Sequence, residues 1–186
     1  MNVRVRSGRG FTLIELLVVI TIIGLLAAIL IPSILGAMKS AKRARALGQI
    51  RDLDGAIKRY YAEYKRMPVP GAMQGADAHY GPDDAANQAR VMEILLNFNT
   101  NRNPKELAFL DVDPNSFGVK TMDDVKQLLA GDTPYKDPWG NAYGILLDMN
   151  FDDKIQGTGF ADIRAKSAVY STGEKANKTE PPYKTW

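Results

Sequence analysis

The sequence contains no cysteine and only one histidine. The missing thiols exclude disulfides, thiolate metal sites and a thiol nucleophile. A small extracytoplasmic domain built this way needs another fastener, such as a metal ion or assembly contacts. His79 has no second imidazole beside it, and no spacing suggests a Ser/His/Asp set or a glycine-rich phosphate loop. A general excess of charge is absent too. The formal net charge of +3 is matched by Arg4, Arg6 and Arg9, in a ten-residue tip that holds no acid. The rest of the chain is near neutral, so its basic balance does not call for a nucleic-acid partner.

What the chain does have is one long apolar run. Phe11 to Ile31 is interrupted only by Thr12, Glu15, Thr21 and Gly24. As a helix rising about 1.5 Å per residue it is about 31 Å long, the thickness of the hydrocarbon core of a bilayer. A secretory signal would have a shorter apolar core and a small-residue exit. Here Ala27-Ala28 lies inside the run, and Pro32-Ser33-Ile34 is no such exit. Both threonines can bond to carbonyls one turn back. Glu15 is the anomaly: a carboxylate within such a span costs at least about 2.5 kcal/mol and is usually paired and functional; the other reading is snorkelling towards the headgroups from near the start of the span. No lysine or arginine follows it by one turn.

The helical pattern continues. Pro32 is expected to kink the helix rather than end it. Ile34, Leu35, Met38, Ala41, Ala44, Leu47, Ile50, Leu53, Ile57, Tyr60, Tyr61 and Tyr64 then recur at three- and four-residue intervals, opposite a basic face. Met67-Pro68-Val69-Pro70-Gly71 stops a helix of about 55 residues. A loop rich in Gly, Ala and Asp follows, from Gly71 to Asn87. Ala85–Asn97 reads as a short helix and Pro104–Leu110 as a turn of helix or strand. Thr121 caps another helix that ends at Gly131. Asp137-Pro138-Trp139-Gly140-Asn141 makes a turn into β structure. Tyr143, Ile145 and Leu147 then alternate with smaller or outward residues, and Ala168–Gly173 forms a second strand. The fold class is α+β.

One segment has the spacing of a metal loop. Asp148, Asn150 and Asp152 alternate in a tight turn and could offer hard oxygens to one cation, calcium being the natural one. Lys154 could add its carbonyl, and Asp162 could replace the acid that Gly159 does not supply. Asp153 stands where an EF-hand loop has its turn glycine. The other reading is a solvated acidic turn.

Gly10-Phe11-Thr12-Leu13-Ile14-Glu15-Leu16, behind a short basic leader, resembles the processing site of type IV prepilins and type II secretion pseudopilins. The stretches Asp137-Pro138-Trp139-Gly140-Asn141 and Ser171-Thr172-Gly173 resemble the C-terminal half of major pseudopilins. The resemblance implies the type IV pilin-like fold: a long N-terminal helix, transmembrane in its first half, on a small antiparallel sheet with short extra helices. It implies a cleaved leader (1–10), a transmembrane and assembly helix (11–31), an amphipathic continuation (32–66), a variable region (67–136) and a C-terminal β region (137–186). Prepilin peptidase would cut between Gly10 and Phe11 and methylate the amine of Phe11. Glu15 would then neutralise the N-terminal amine of a neighbouring subunit.

The charges on either side of the span, Lys39, Lys42, Arg43, Arg45 and Arg51 after it, do not orient the helix. The resemblance places the N-terminus in the cytoplasm, the helix in a bacterial inner membrane as a single pass, and the C-terminal domain in the periplasm. It also implies a calcium site in the C-terminal loops, here Asp148, Asn150, Asp152, Lys154 and Asp162. Glu174 and Lys175 stand where an acidic segment is usual. The expected function is that of a non-enzymatic, structural subunit of a periplasmic pseudopilus driving type II secretion. Its partners would be itself, minor pseudopilins, prepilin peptidase, an inner-membrane assembly platform and membrane lipid, with no nucleic acid. The alternatives are a pilin of a surface type IV pilus, and a membrane-tethered binding module that uses the prepilin route.

Overall fold

The computed structural model describes residues 11–71, 75–176 and 180–186. Helix α1 runs from Leu13 to Tyr64 without a break at Pro32. The chain divides into two compact units, one ending at Ala41 and one from Lys42 to Trp186.

The first unit is apolar helix with no core of its own. Leu16, Leu17, Val18, Val19 and Ile20 are successive residues, so they point all round the helix, and every one is exposed. A helix apolar on every side is stable only when lipid or protein covers it. It is the one helix among the described residues long and apolar enough to cross a membrane.

The second unit starts where α1 becomes amphipathic. Ile50, Leu53, Ile57 and Tyr60 are buried, while Arg51, Lys58 and Arg59 stay exposed. Strand β1 is Ala78–Tyr80, β2 Gly144–Leu147, β3 Ser167–Ser171 and β4 Tyr183–Lys184. They form one antiparallel sheet in the order β1-β2-β3-β4. Between β1 and β2 the chain carries helix α2 (Ala85–Leu95), a 3-10 turn (Pro114–Phe117) and helix α3 (Met122–Ala130). The buried face of α1, Met92 and Leu95 of α2, and Ile145, Leu147 and Val169 of the sheet make one core.

Thr121 caps α3 as its sequence indicates: its hydroxyl accepts from Asp124 N at 3.2 Å, and the helix ends at Gly131. The expected α2 ends two residues early, at Leu95. Four features differ from the sequence reading. The loop around His79 contains strand β1, and residues 183–184 add β4. Neither segment is long enough to show a period, so pairing with a neighbour strand decides it. Pro104–Leu110 is irregular rather than helix or strand, with Glu106 at φ 54°. The outward positions of β2 and β3 are not outward at all. Leu146, Ala168 and Tyr170 join Ile155 and Ile163 in a second small core, because the chain between β2 and β3 folds back over that face.

Gly144 has a clear steric reason. A Cβ there would lie 1.9 Å from Cε1 of Tyr170, its cross-strand partner. The tyrosine ring lies over the glycine, filling the space that a side chain would take.

Candidate functional site

The first site is the head of α1. Thr12 stands one residue before the helix and Glu15 three residues after Thr12, the spacing of a capping box. The structure forms it. The Thr12 N–H donates to Glu15 Oε2 at 2.8 Å and the Thr12 hydroxyl donates to the same oxygen at 2.7 Å. In return the Glu15 N–H donates to Thr12 Oγ1 at 3.3 Å. The sequence offers Glu15 no basic partner a turn away; the structure supplies a polar one on its N-terminal side. The signal, Thr-x-x-Glu before an apolar run, is in the sequence. Phe11 and Leu13 are 79% and 88% exposed. Gly10 and the rest of the 1–10 leader lie outside the described residues. Thr21 donates to the Leu17 carbonyl at 2.7 Å, which leaves no polar hydroxyl unpaired on the apolar surface.

The second site joins the two C-terminal stretches. Asp137 is buried, and its Oδ1 accepts from the N–H groups of Trp139 and Asn141, each at 2.9 Å. Its Oδ2 accepts from the Ser171 hydroxyl at 2.7 Å. Asn141 Nδ2 donates to the Gly173 carbonyl at 2.9 Å. One carboxylate thus holds the turn before β2 and the end of β3 together. Trp139 stacks on Tyr183 with centroids 5.2 Å apart and planes at 6°, so it closes the edge of the sheet as a packing residue.

The third site is the 148–162 loop. Asp148 is fully buried, and each of its oxygens accepts a backbone N–H: Phe151 at 2.6 Å and Asp153 at 2.9 Å. Asn150 Oδ1 accepts from Asp152 N at 3.0 Å, and Asp152 Oδ1 from Lys154 N at 2.9 Å. Asp162 accepts from the Gln156 side chain at 2.9 Å. Asp77, across from the loop, accepts from Met149 N and Gln156 N at 3.0 and 2.6 Å. Burial pushes the Asp148 carboxyl above its ordinary range; the N–H groups of Phe151 and Asp153 pull it back, and Asp77 and Asp152 add to the rise. Phe151 and Asp153 adopt φ of 61° and 63°, which points these N–H groups inward.

Among the described residues no three His, Cys, Asp or Glu groups are gathered as a set for a metal ion. Asp148, Asn150 and Asp152 each accept a backbone N–H of the loop, which holds their oxygens in one tight turn. The loop is also fastened to α1. Lys166 pairs with Asp153 at 2.5 Å and lies 5.1 Å from the Tyr61 ring centroid, and Tyr61 stacks on Phe151.

His79 is part of packing. Its Nε2 is 2.8 Å from the Tyr170 hydroxyl, and its ring meets Phe160 edge-on. The sequence alone does not pair these residues, because they come together only when β1, β2 and β3 align.

Residues 6–31 match the prokaryotic N-terminal methylation motif. The chain is similar to the type II secretion system core protein G of Klebsiella pneumoniae, 35% identical over 44% of this chain and 57% of that one. It is similar to the core protein G of Aeromonas hydrophila, also 35% identical, over 46% of this chain and 58% of that one. The core protein G of Vibrio cholerae is 27% identical over 77% of this chain and 73% of its own length. The chain therefore spans little more than half the length of the first two relatives. No solved structure matches it. A prepilin-type methylation motif on a type IV pilin-like α+β fold, with this similarity to core protein G, makes the chain resemble the major pseudopilins of type II secretion.

Proposed function

We propose that the chain is the structural subunit of a periplasmic pseudopilus that drives protein export by type II secretion. The observation that carries this reading is the exposed, all-round apolar helix of the first unit. It begins at a methylation motif and has a carboxylate braced at its head. Before processing, the helix anchors the chain in the inner membrane, with its N-terminus in the cytoplasm and residues beyond the span in the periplasm. Prepilin peptidase cuts after Gly10, and the new ammonium of Phe11 supplies a cation at the depth of Glu15. Pairing that cation with the Glu15 of a neighbour lowers the cost of keeping both in an apolar surrounding. The same apolar surface then turns from lipid towards other subunits. An assembly platform and minor pseudopilins would be the further partners. Such a protein works by polymerising and needs no catalytic centre.

Intact-mass measurement of the membrane-extracted protein tests this. The expected mass lacks residues 1–10 and carries one added methyl, and filaments form in cells that express the secretion apparatus. A full-length, unmethylated mass would sink the processing step. Surface fibres at normal expression would favour a type IV pilus instead.

A further inference from the structure

Two surface features of the second unit fit each other. The first is a braced knob. Glu106 adopts φ 54°, a left-handed conformation that a non-glycine residue holds only under constraint. Buried Asn103 supplies that constraint: its Nδ2 donates to the Leu107 carbonyl at 2.6 Å and its Oδ1 accepts from Leu107 N at 3.2 Å. Asn97 Nδ2 donates to the Glu106 carbonyl at 3.0 Å. The loop thereby presents Leu107, which is 41% exposed. Among the described residues beyond the apolar helix, the other large apolar side chain so exposed is Phe151, and that ring stacks on Tyr61. Glu106, beside Leu107, makes no ion pair among the described residues.

The second feature is a groove of about 360 Å³ between α1 and residues 164–167. Tyr61 and Ala165 give it a half-buried apolar wall over the buried Ile57 and Met67, and Lys58, Arg164 and Lys166 give it a basic rim. Lys58 and Lys166 are paired with Asp54 and Asp153. Arg164 is exposed and makes no ion pair among the described residues.

The knob and the groove are built from different stretches of the chain. The knob is held at Glu63, which pairs with Lys105, and at Tyr64, whose hydroxyl donates to Asn103 Oδ1. The groove uses Ile57, Lys58 and Tyr61. Leu107 is exposed and lines no part of the groove, so a molecule does not fill its own groove. We propose that the groove receives Glu106 and Leu107 of a second copy of this chain, with Leu107 on the apolar wall and Glu106 against Arg164. Apolar surface meets apolar surface, and an unpaired acid meets an unpaired base. The two patches differ, so the contact is heterologous and repeats into an open chain rather than closing as a dimer. The inference rests on the pseudopilus reading and adds a contact between globular units to it.

The absence of cysteine makes the test clean. Full-length chains carrying Leu107→Cys and Ala165→Cys together are assembled into filaments and oxidised. The expected result is a ladder of disulfide-linked multimers, with no ladder from either single variant. Filaments that form normally but give no ladder overturn the contact and leave the pseudopilus reading standing. A wild-type chain that never forms filaments overturns both. In a second arm, Glu106→Arg or Arg164→Glu alone lowers filament yield by roughly tenfold, and the two together restore it. Unchanged melting temperatures confirm that each variant folds. Failure of the double reversal to restore yield also overturns the proposal.

Discussion

At the scale of residues, two buried polar groups show how local chemistry holds the second unit. Asp137 satisfies three donors from two separate stretches. Asp137→Ala would strand all three, at a cost of about 3 kcal/mol, whereas Asp137→Asn keeps an acceptor and costs about 1 kcal/mol. Denaturation of the full chain in detergent, followed by circular dichroism, measures the difference. His79 gives a pH signature. Burial lowers its pKa from the ordinary 6.5, outweighing Asp83, Asp84 and the Thr158 backbone, which raise it. The unfolded chain therefore takes up this proton first as pH falls. The stabilisation is complete above about pH 6.5 and is lost as pH drops through the folded value. Melting from about pH 7 to about pH 5 is expected to show this fall, and His79→Gln to flatten it. An imidazole that titrates in the folded chain above its ordinary value would refute the assignment.

At the scale of elements, the 148–162 loop separates a spacing from a site. Alternate oxygens at 148, 150 and 152 are legible in sequence, but the partner they choose is not. In the folded chain Asp148 and Asp152 accept backbone N–H groups, and Lys166 takes Asp153. Calcium remains a proposal for this loop, since each Asp148 oxygen accepts only one N–H and keeps a lone pair for a cation. Bound calcium is expected to raise the melting temperature by several degrees over that in chelator; no shift at about millimolar calcium would sink the metal reading. Asp148→Ala, which leaves two part-buried N–H groups unpaired, should cost about 2 kcal/mol in chelator. The strands teach a related lesson. Period-two patterning places Ile145 and Leu147 correctly on the main core. Leu146 and Tyr170 are buried by a loop and by chain far along the sequence, which no local period encodes.

At the scale of the whole molecule, the two units divide the work. The first offers apolar surface for lipid or neighbouring subunits, and the second is folded on its own core. Glu15 is the residue in which the cap of the helix and the proposed assembly contact meet. Glu15→Val removes the capping partner of Thr12 and the charge proposed to meet the Phe11 amine, while leaving the proposed cleavage residues Gly10 and Phe11 intact. Processing should continue, seen as the same mature mass, and filament yield should fall by at least tenfold, of the order expected for a lost buried charge pair. Normal filaments in that variant would remove the pairing role.

The sequence by itself determined the long apolar helix, the methylation motif, the cap of α3 and the α+β class. Each is encoded by residues within a turn or two of one another, or by a single unbroken hydrophobic run. Only the tertiary structure decided that β1 and β4 exist, that both faces of β2 and β3 are covered, and that Asp137 reaches Ser171. It alone turned the Asp148 oxygens towards backbone and formed the Leu107 knob and the groove beside Arg164. Those outcomes depend on contacts between residues far apart in sequence, where burial and hydrogen-bond geometry choose among partners that local pattern leaves equal.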